Sequence, residues 1–329
     1  MKTFNTSLLA AAIAGLAIVL PAGQASAQTA AFPTKAVTLV VPFTPSSGSD
    51  IIARIIAPKL AARWGQAVVI DNKPGASGNL GARQVASAAP DGHTLLMAIN
   101  SFTMTPAVYK TKPYDAVTEF TPVAKLAEAG FAFGVNNDVP AKDMTSLVAH
   151  LKKNEGKTNY ATPGNGTPQH LSMEFFKTGA GVDVLHVPYK GIQGALTDLM
   201  GGQVQMMFAT VHSMRPAVES GKVRMLAVTG NARNPLVPDI PTFREQGINF
   251  MDSMDAWYAV LAPARTPADV VNRLNRDFIE VMNSDDVKAA LGKQGLSVQT
   301  GTPAQLDALI KSDLVRWKKV VTDARISAD

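Results

Sequence analysis

Short apolar runs alternate with helix-periodic segments along most of this 329-residue chain, and that alternation constrains its fold more than any other feature. Parallel strands need a crossover helix to bring the chain back, so consecutive βαβ units leave this pattern. Strands are expected at Val37 to Val41, Ala67 to Ile70, Thr94 to Ala98, around Val123, and at Phe131 to Val135. More follow at Thr158 to Ala161, Asp183 to Val187, Val204 to Phe208, Val223 to Thr229 and Ala256 to Leu261. The helical segments between them cover Ile51 to Trp64, Asn79 to Ala88, Thr145 to Lys153, Pro168 to Thr178, Gly191 to Met200 and Ser213 to Ser220. Pro267 to Met282 and Pro303 to Thr322 read as helices with polar faces that return over the first of two sheets. The fold class is therefore α/β, with two sheets whose strand-to-helix loops would face each other across a cleft.

Residues 1–27 carry the marks of a secretory signal peptide: Lys2, an apolar run from Leu8 to Leu20, and the small-x-small site Ala25-Ser26-Ala27. Cleavage after Ala27 would start the mature chain at Gln28 in the periplasm. The apolar run falls short of the roughly 20 residues that a membrane span needs. Cysteine is absent, which removes disulfides, thiol nucleophiles and thiolate metal sites. A net charge of +5, with scattered rather than striped Lys and Arg, favours anionic ligands weakly and does not fit a nucleic-acid binder.

Three strand-to-helix loops could hold an anion. Pro42-Phe43-Thr44-Pro45-Ser46-Ser47-Gly48-Ser49-Asp50 opens a helix with small hydroxyls beside free amide N–H groups and the positive end of the helix dipole. The alternative is that Ser49 or Asp50 merely caps that helix. Thr162-Pro163-Gly164-Asn165-Gly166-Thr167-Pro168 repeats the arrangement on the second sheet, and Ser77-Gly78-Asn79 offers a third start. Tyr189 and Lys190 end another strand; Lys190 is either an ordinary surface lysine or faces a ligand. For Trp257 the readings are core or cleft wall. Neither the Gly-x-Ser-x-Gly elbow nor His-Glu-x-x-His occurs. Of His93, His150, His170, His186 and His212, only His170 and His186 could meet, and no third metal ligand accompanies them. No catalytic residue, metal or cofactor is expected.

Over nearly the whole mature length the chain resembles the receptors of tripartite tricarboxylate transporters, the Bug family. Matching segments include Phe32-Pro33-Thr34-Lys35, Val40-Val41-Pro42-Phe43, Asp71-Asn72-Lys73-Pro74-Gly75-Ala76 and Ala88-Ala89-Pro90-Asp91-Gly92. His186-Val187-Pro188-Tyr189-Lys190-Gly191, the run Leu196 to Val204, Leu226 to Gly230, Pro238 to Thr242 and Ala262 to Pro267 continue the series in family order. The resemblance implies a type II periplasmic-binding-protein fold with domains at residues 28–126 plus 252–329 and at 127–251. Hinges would lie near Lys125 to Ala132 and Met251 to Ala256, and the cleft would close on a small carboxylate handed to membrane subunits. A monomer is expected. A periplasmic sensor presenting the same carboxylate to a two-component histidine kinase is the alternative use of such a cleft, and a hydrolase is a distant third.

Carried over residue by residue, the resemblance and the loop reading give ligand-binding positions Phe43, Thr44, Ser46, Ser47, Gly48, Ser49, Ser77, Asn79, Gly164, Asn165, Gly166, Thr167, Tyr189 and Ala209. Where the family usually has Pro-Gly-Gly-Gly-Thr/Ser-Asp this chain has Pro45-Ser46-Ser47-Gly48-Ser49-Asp50, so Ser46 and Ser47 add hydroxyl donors. Ala209 stands where many members have Asp, which removes a partner for a ligand amine. The expected ligand is thus a mono- or dicarboxylate without an ammonium group, an aromatic one such as terephthalate being conceivable.

Overall fold

The computed structural model describes residues 32–230, 232–251, 254–323 and 326; the signal-peptide segment and its cleavage site lie outside the described residues. The first sheet is built from β1 (Val37–Val41), β2 (Val68–Asn72), β3 (Thr94–Ile99), β4 (Phe120–Ala129), β10 (Ala256–Pro263) and β11 (Ser297–Gly301) in the order β11-β4-β10-β3-β1-β2. The second contains β5 (Phe131–Asn136), β6 (Asn159–Thr162), β7 (Leu185–Pro188), β8 (Met206–Thr210) and β9 (Val223–Val228) in the order β7-β6-β8-β5-β9. Helices α1 (Gly48–Trp64), α2 (Asn79–Ala86), α3 (Ser101–Val108), α8 (Ala268–Asn283), α9 (Asp285–Gly292) and α10 (Pro303–Asp323) cover the first sheet. The second is flanked by α4 (Met144–Lys153), α5 (Pro168–Ala180), α6 (Ile192–Met200) and α7 (Val211–Glu219).

Strand alternation is apolar on both faces, which is why these strands read as continuous apolar runs. Leu39, Leu95, Met97, Tyr258 and Val260 turn towards the layer of α1 and α8, while Val40, Leu96, Ala98, Trp257 and Ala259 face that of α2, α3 and α10. In the second sheet Phe133, Tyr160 and Phe208 join the core that runs on from the first; Ala132, Ala161 and Ala209 pack against α6 and α7. The C-terminal helices do return to the first sheet. Arg63 donates to Asp277 at 2.8 Å and the Trp64 indole to the same carboxylate at 2.8 Å, tying α1 to α8.

Both sheets are mixed rather than purely parallel. β1, β2 and β3 run parallel, as do β6, β7 and β8, but β10 is antiparallel to β3 and β4, and β5 is antiparallel to β8 and β9. The cause is the crossing. β4 ends at Ala129 and β5 starts at Phe131, so the chain enters the second sheet from the end where its other strands finish. β10 re-enters the first sheet the same way. Thr229 joins the two crossings: its hydroxyl accepts from the Phe131 N–H at 2.8 Å and donates to Asp255 at 2.5 Å. Among the described residues no helix is long and apolar enough to cross a membrane.

Candidate functional site

The loops that follow β1, β2, β6, β7 and β8 meet between the two sheets around a cavity of about 590 Å³. On the first sheet's side the wall begins at Phe43 and Thr44 and continues through Ser47, Gly48 and Ser49 into α1. Ser47 caps this helix, its hydroxyl accepting from the Asp50 N–H, so α1 starts earlier than the expected Ser49 or Asp50 cap would place it. Asp50 is buried beneath the turn. Its carboxylate accepts from the Ser46 N–H (2.9 Å), Arg54 Nε (2.9 Å) and Asn72 Nδ2 (3.0 Å), and Asn72 Nδ2 also donates to the Phe43 carbonyl (3.1 Å). Burial alone would raise the Asp50 pKa, but the hydrogen bonds from Arg54, Asn72 and Ser46 outweigh it and hold the carboxyl below its usual range. The charge thereby fixes Ser46 in a left-handed conformation (φ 65°) and sets the turn that presents Ser47 and Ser49.

On the opposite wall Gly164, Asn165 and Thr167 form the entry to α5. Two stacked imidazoles hold this loop from behind. His170 Nδ1 accepts the Gly166 N–H at 3.0 Å, and His186 Nε2 lies 2.7 Å from the Thr162 hydroxyl, which itself accepts from the Gly164 N–H at 3.3 Å. The rings of His170 and His186 stack at 4.1 Å, and His186 stacks on Tyr160 at 4.8 Å. Burial lowers the His170 pKa to about 4 and that of His186 to about 3, so both are neutral at pH 7. Their meeting does not make a metal site, for among the described residues no group of three or more His, Asp or Glu is placed to hold an ion.

Ten of the fourteen sequence-derived positions lie on this wall: Phe43, Thr44, Ser47, Gly48, Ser49, Ser77, Gly164, Asn165, Thr167 and Tyr189. The other four do not. Ser46 opens on a smaller cavity beside α6 and α7, and Asn79 is buried behind Gly78. Gly166 lies at the back of its loop, where an added Cβ would stand 3.1 Å from Thr105 Cγ2. Ala209 is fully buried against α6 and α7, and the next residue, Thr210, takes the place on the wall. Tyr189 presents its ring while its hydroxyl donates to Asp198 at 2.5 Å. Lys190 is on the wall. Trp257 points away, donating to Asp313 at 2.8 Å.

Sequence reading missed Tyr109, Gln169, Ser213 and Tyr258. It also missed how the helices converge. The first turns of α1, α6 and α7 and the cap of α5 all open on the cavity, and the starts of α5, α6 and α7 have no side-chain cap. Their leading N–H groups and dipoles make the site electropositive. Among the described residues Lys190 is the single charged side chain lining it, and no Asp or Glu does. The two walls also touch directly, since the Ser77 hydroxyl donates to the Asn165 carbonyl across the cavity.

Two α/β halves around a cavity walled by helix starts make a type II periplasmic-binding-protein fold, and residues 52–326 match the model of the tripartite tricarboxylate transporter family receptor. The chain belongs to that receptor family. This receptor is 36% identical to the UPF0065 protein in the tcbD-tcbE intergenic region of Pseudomonas sp. (strain P51), over 96% of this chain and 95% of that protein. It superposes on an adipate-bound protein of R. palustris with a TM-score of 0.85, 34% identity and coverage of 90% and 99%. MatC from Rhodopseudomonas palustris with bound malate gives 0.82, 33%, and coverage of 88% and 100%. The family is one of solute-binding receptors, not of enzymes.

Proposed function

We propose that this receptor is exported through a cleaved signal peptide, captures a small carboxylate lacking an ammonium group in the periplasm, and delivers it to the membrane subunits of a tripartite tricarboxylate-type transporter. The observation that carries this reading is the charge of the cavity wall. Uncapped helix starts, small hydroxyls and the Lys190 ammonium favour a bound anion, while among the described residues no carboxylate lines the cavity to pair with a ligand amine. Relatives solved with adipate and with malate support a dicarboxylate. One carboxylate would dock on the first turn of α1, and Lys190 is available to the other. Capture would proceed by closure of two domains about the crossings at Gly130 and Asp255, because ligand contacts to both walls exist only when the walls approach.

The test is a thermal-shift screen of the mature chain against mono-, di- and tricarboxylates, aromatic acids and amino acids. A ligand at 100 times its Kd adds about 2.7 kcal/mol, a rise of about 5 °C for a chain of this size. A rise with one or more acids and none with amino acids is expected. Stabilisation by amino acids alone would overturn the assignment.

A further inference from the structure

A buried tyrosine hydroxyl ordinarily has a hydrogen-bond partner, because leaving a phenol dry and unpaired costs free energy. Tyr109 is only half-buried, and three of the other four tyrosines obey: Tyr114 donates to the Phe102 carbonyl at 3.0 Å, Tyr160 to Glu174, and Tyr189 to Asp198 at 2.5 Å. Tyr258 does not. It is 3% exposed and sits in the middle of the first sheet on β10, paired with Ile99 of β3 and Ala127 of β4. Among the described residues its hydroxyl has no hydrogen-bond partner, and it belongs to the cavity wall.

The direction in which the phenol points is fixed by Gly48. A Cβ built on Gly48 would collide with the Tyr258 hydroxyl and stand 2.7 Å from Cζ, so the ring lies against the first residue of α1. Gly48 is needed there for space, not for an unusual backbone angle. The same turn carries the Ser47 and Ser49 hydroxyls, 3.4 Å apart, and the leading amides of α1. The hydroxyl thus stands against the first residue of the helix whose start carries those donors. Trp257 on the opposite face of the same strand has its polar atom satisfied by Asp313.

We infer that Tyr258 is a ligand-binding residue, its O–H donating to the carboxylate oxygen that docks on the first turn of α1. This rests on the carboxylate reading of the cavity. Burial raises the Tyr258 pKa above its ordinary value, so the phenol remains a donor throughout the range in which carboxylates are ionised. A donor at the floor, together with a glycine that leaves room for it, selects an anionic acceptor at this end of the ligand. An ester or primary amide of the same acid would lose the charge that makes the bond strong.

The experiment compares the mature wild type with Tyr258→Phe by calorimetric titration with adipate, malate and terephthalate, carrying forward the acid with the strongest wild-type response. The substitution keeps the ring and removes only the hydroxyl. Affinity should fall about 10- to 100-fold, as expected for a bond to a charged acceptor. The unfolding midpoint without ligand should move by no more than about 2 °C, since no hydrogen bond to the described residues is lost. Equal affinities for the two proteins would overturn the role of Tyr258 while leaving the receptor reading intact. A wild type that binds none of the three acids, or other carboxylates, would overturn both. A large fall in the ligand-free midpoint with unchanged affinity would show that the hydroxyl is structural and would also refute the inference.

Discussion

Replacing Asp50 by Asn removes the charge around which the first ligand loop is organised. In the native protein three donors converge on that carboxylate, and a carboxamide can turn only one oxygen towards them, leaving its own NH2 group against another donor. The bond from Arg54 is left out of the sum because that side chain is open to solvent and screened. The bonds from the Ser46 amide and from Asn72 are sheltered, and losing each costs about 1.5 kcal/mol, the low end for a charged acceptor. The sum is about 3 kcal/mol, consistent with about 3–5 kcal/mol for breaking a buried charged cluster from one side. At about 2 °C per kcal/mol the unfolding midpoint should fall by about 6 °C. The loop from Phe43 to Ser47 also loses its tether, so carboxylate affinity should fall as well. Scanning calorimetry at pH 7, followed by titration at a temperature where both proteins are folded, measures the two effects. A midpoint within about 1 °C of wild type would refute the argument. Because the Asp50 pKa is depressed in the folded state, its stabilisation is present above the unfolded carboxylate value of about 3.9 and is lost as pH falls through the folded one. Asp50→Asn should therefore flatten the acid limb of the stability profile.

The buried imidazoles make a second pH dependence. His170 and His186 have pKa values lowered by burial to about 4 and about 3, against about 6.5 when unfolded, so their contribution is complete above pH 6.5 and drains away as pH falls towards 4. For His170 the loss reaches about 3 kcal/mol at 1.36 kcal/mol per pH unit; melts from pH 7 to pH 4.5 should show a steady fall, and a flat profile would count against the neutral stack. Gly166→Ala places a Cβ at φ 70° against Thr105 and should cost about 1–2 kcal/mol in a thermal melt; an unchanged midpoint would mean that α3 yields to it. Ser77→Ala deletes the hydroxyl that reaches Asn165 across the cavity and should weaken ligand binding about fivefold, whereas unaltered affinity would show that this contact has no part in closure.

Much of this architecture was legible in the chain because local chemistry and tertiary role agree there. The run Val37 to Val41, the Ser-rich turn and the long helix after it are consistent at every level, as are Gly164 to Thr167 before α5. Where they disagree, reading fails. α3 was missed because Ser101–Val108 is buried on nearly every side and contains Pro106, so it carries no apolar stripe of helical period. The antiparallel placement of β5 and β10 was missed because direction within a sheet is set by where the chain crosses, not by strand composition. β4 was sensed only near Val123, since Lys125 and Glu128, paired at 2.5 Å, interrupt its apolar run.

The site divides in the same way. Loop residues were identifiable because glycine and hydroxyls before a helix have a direct meaning for an anion. Tyr258 was not, because Trp257 and Tyr258 occupy opposite faces of one strand and nothing local says which face meets the cavity. Ala209 illustrates the converse. Its place in the second core puts it off the wall, so the proposed discrimination against amines rests on the lack of Asp and Glu among the described residues lining the cavity rather than on that single position.

The most direct test of the central claim is a calorimetric titration of the mature chain with glutarate and glutamate, which differ only by the ammonium group. An uncompensated ammonium inside an electropositive cavity should cost at least about 1.4 kcal/mol, a tenfold loss of affinity. Glutarate binding at least tenfold more tightly than glutamate is the expected result, and glutamate binding as tightly or more tightly would contradict the account.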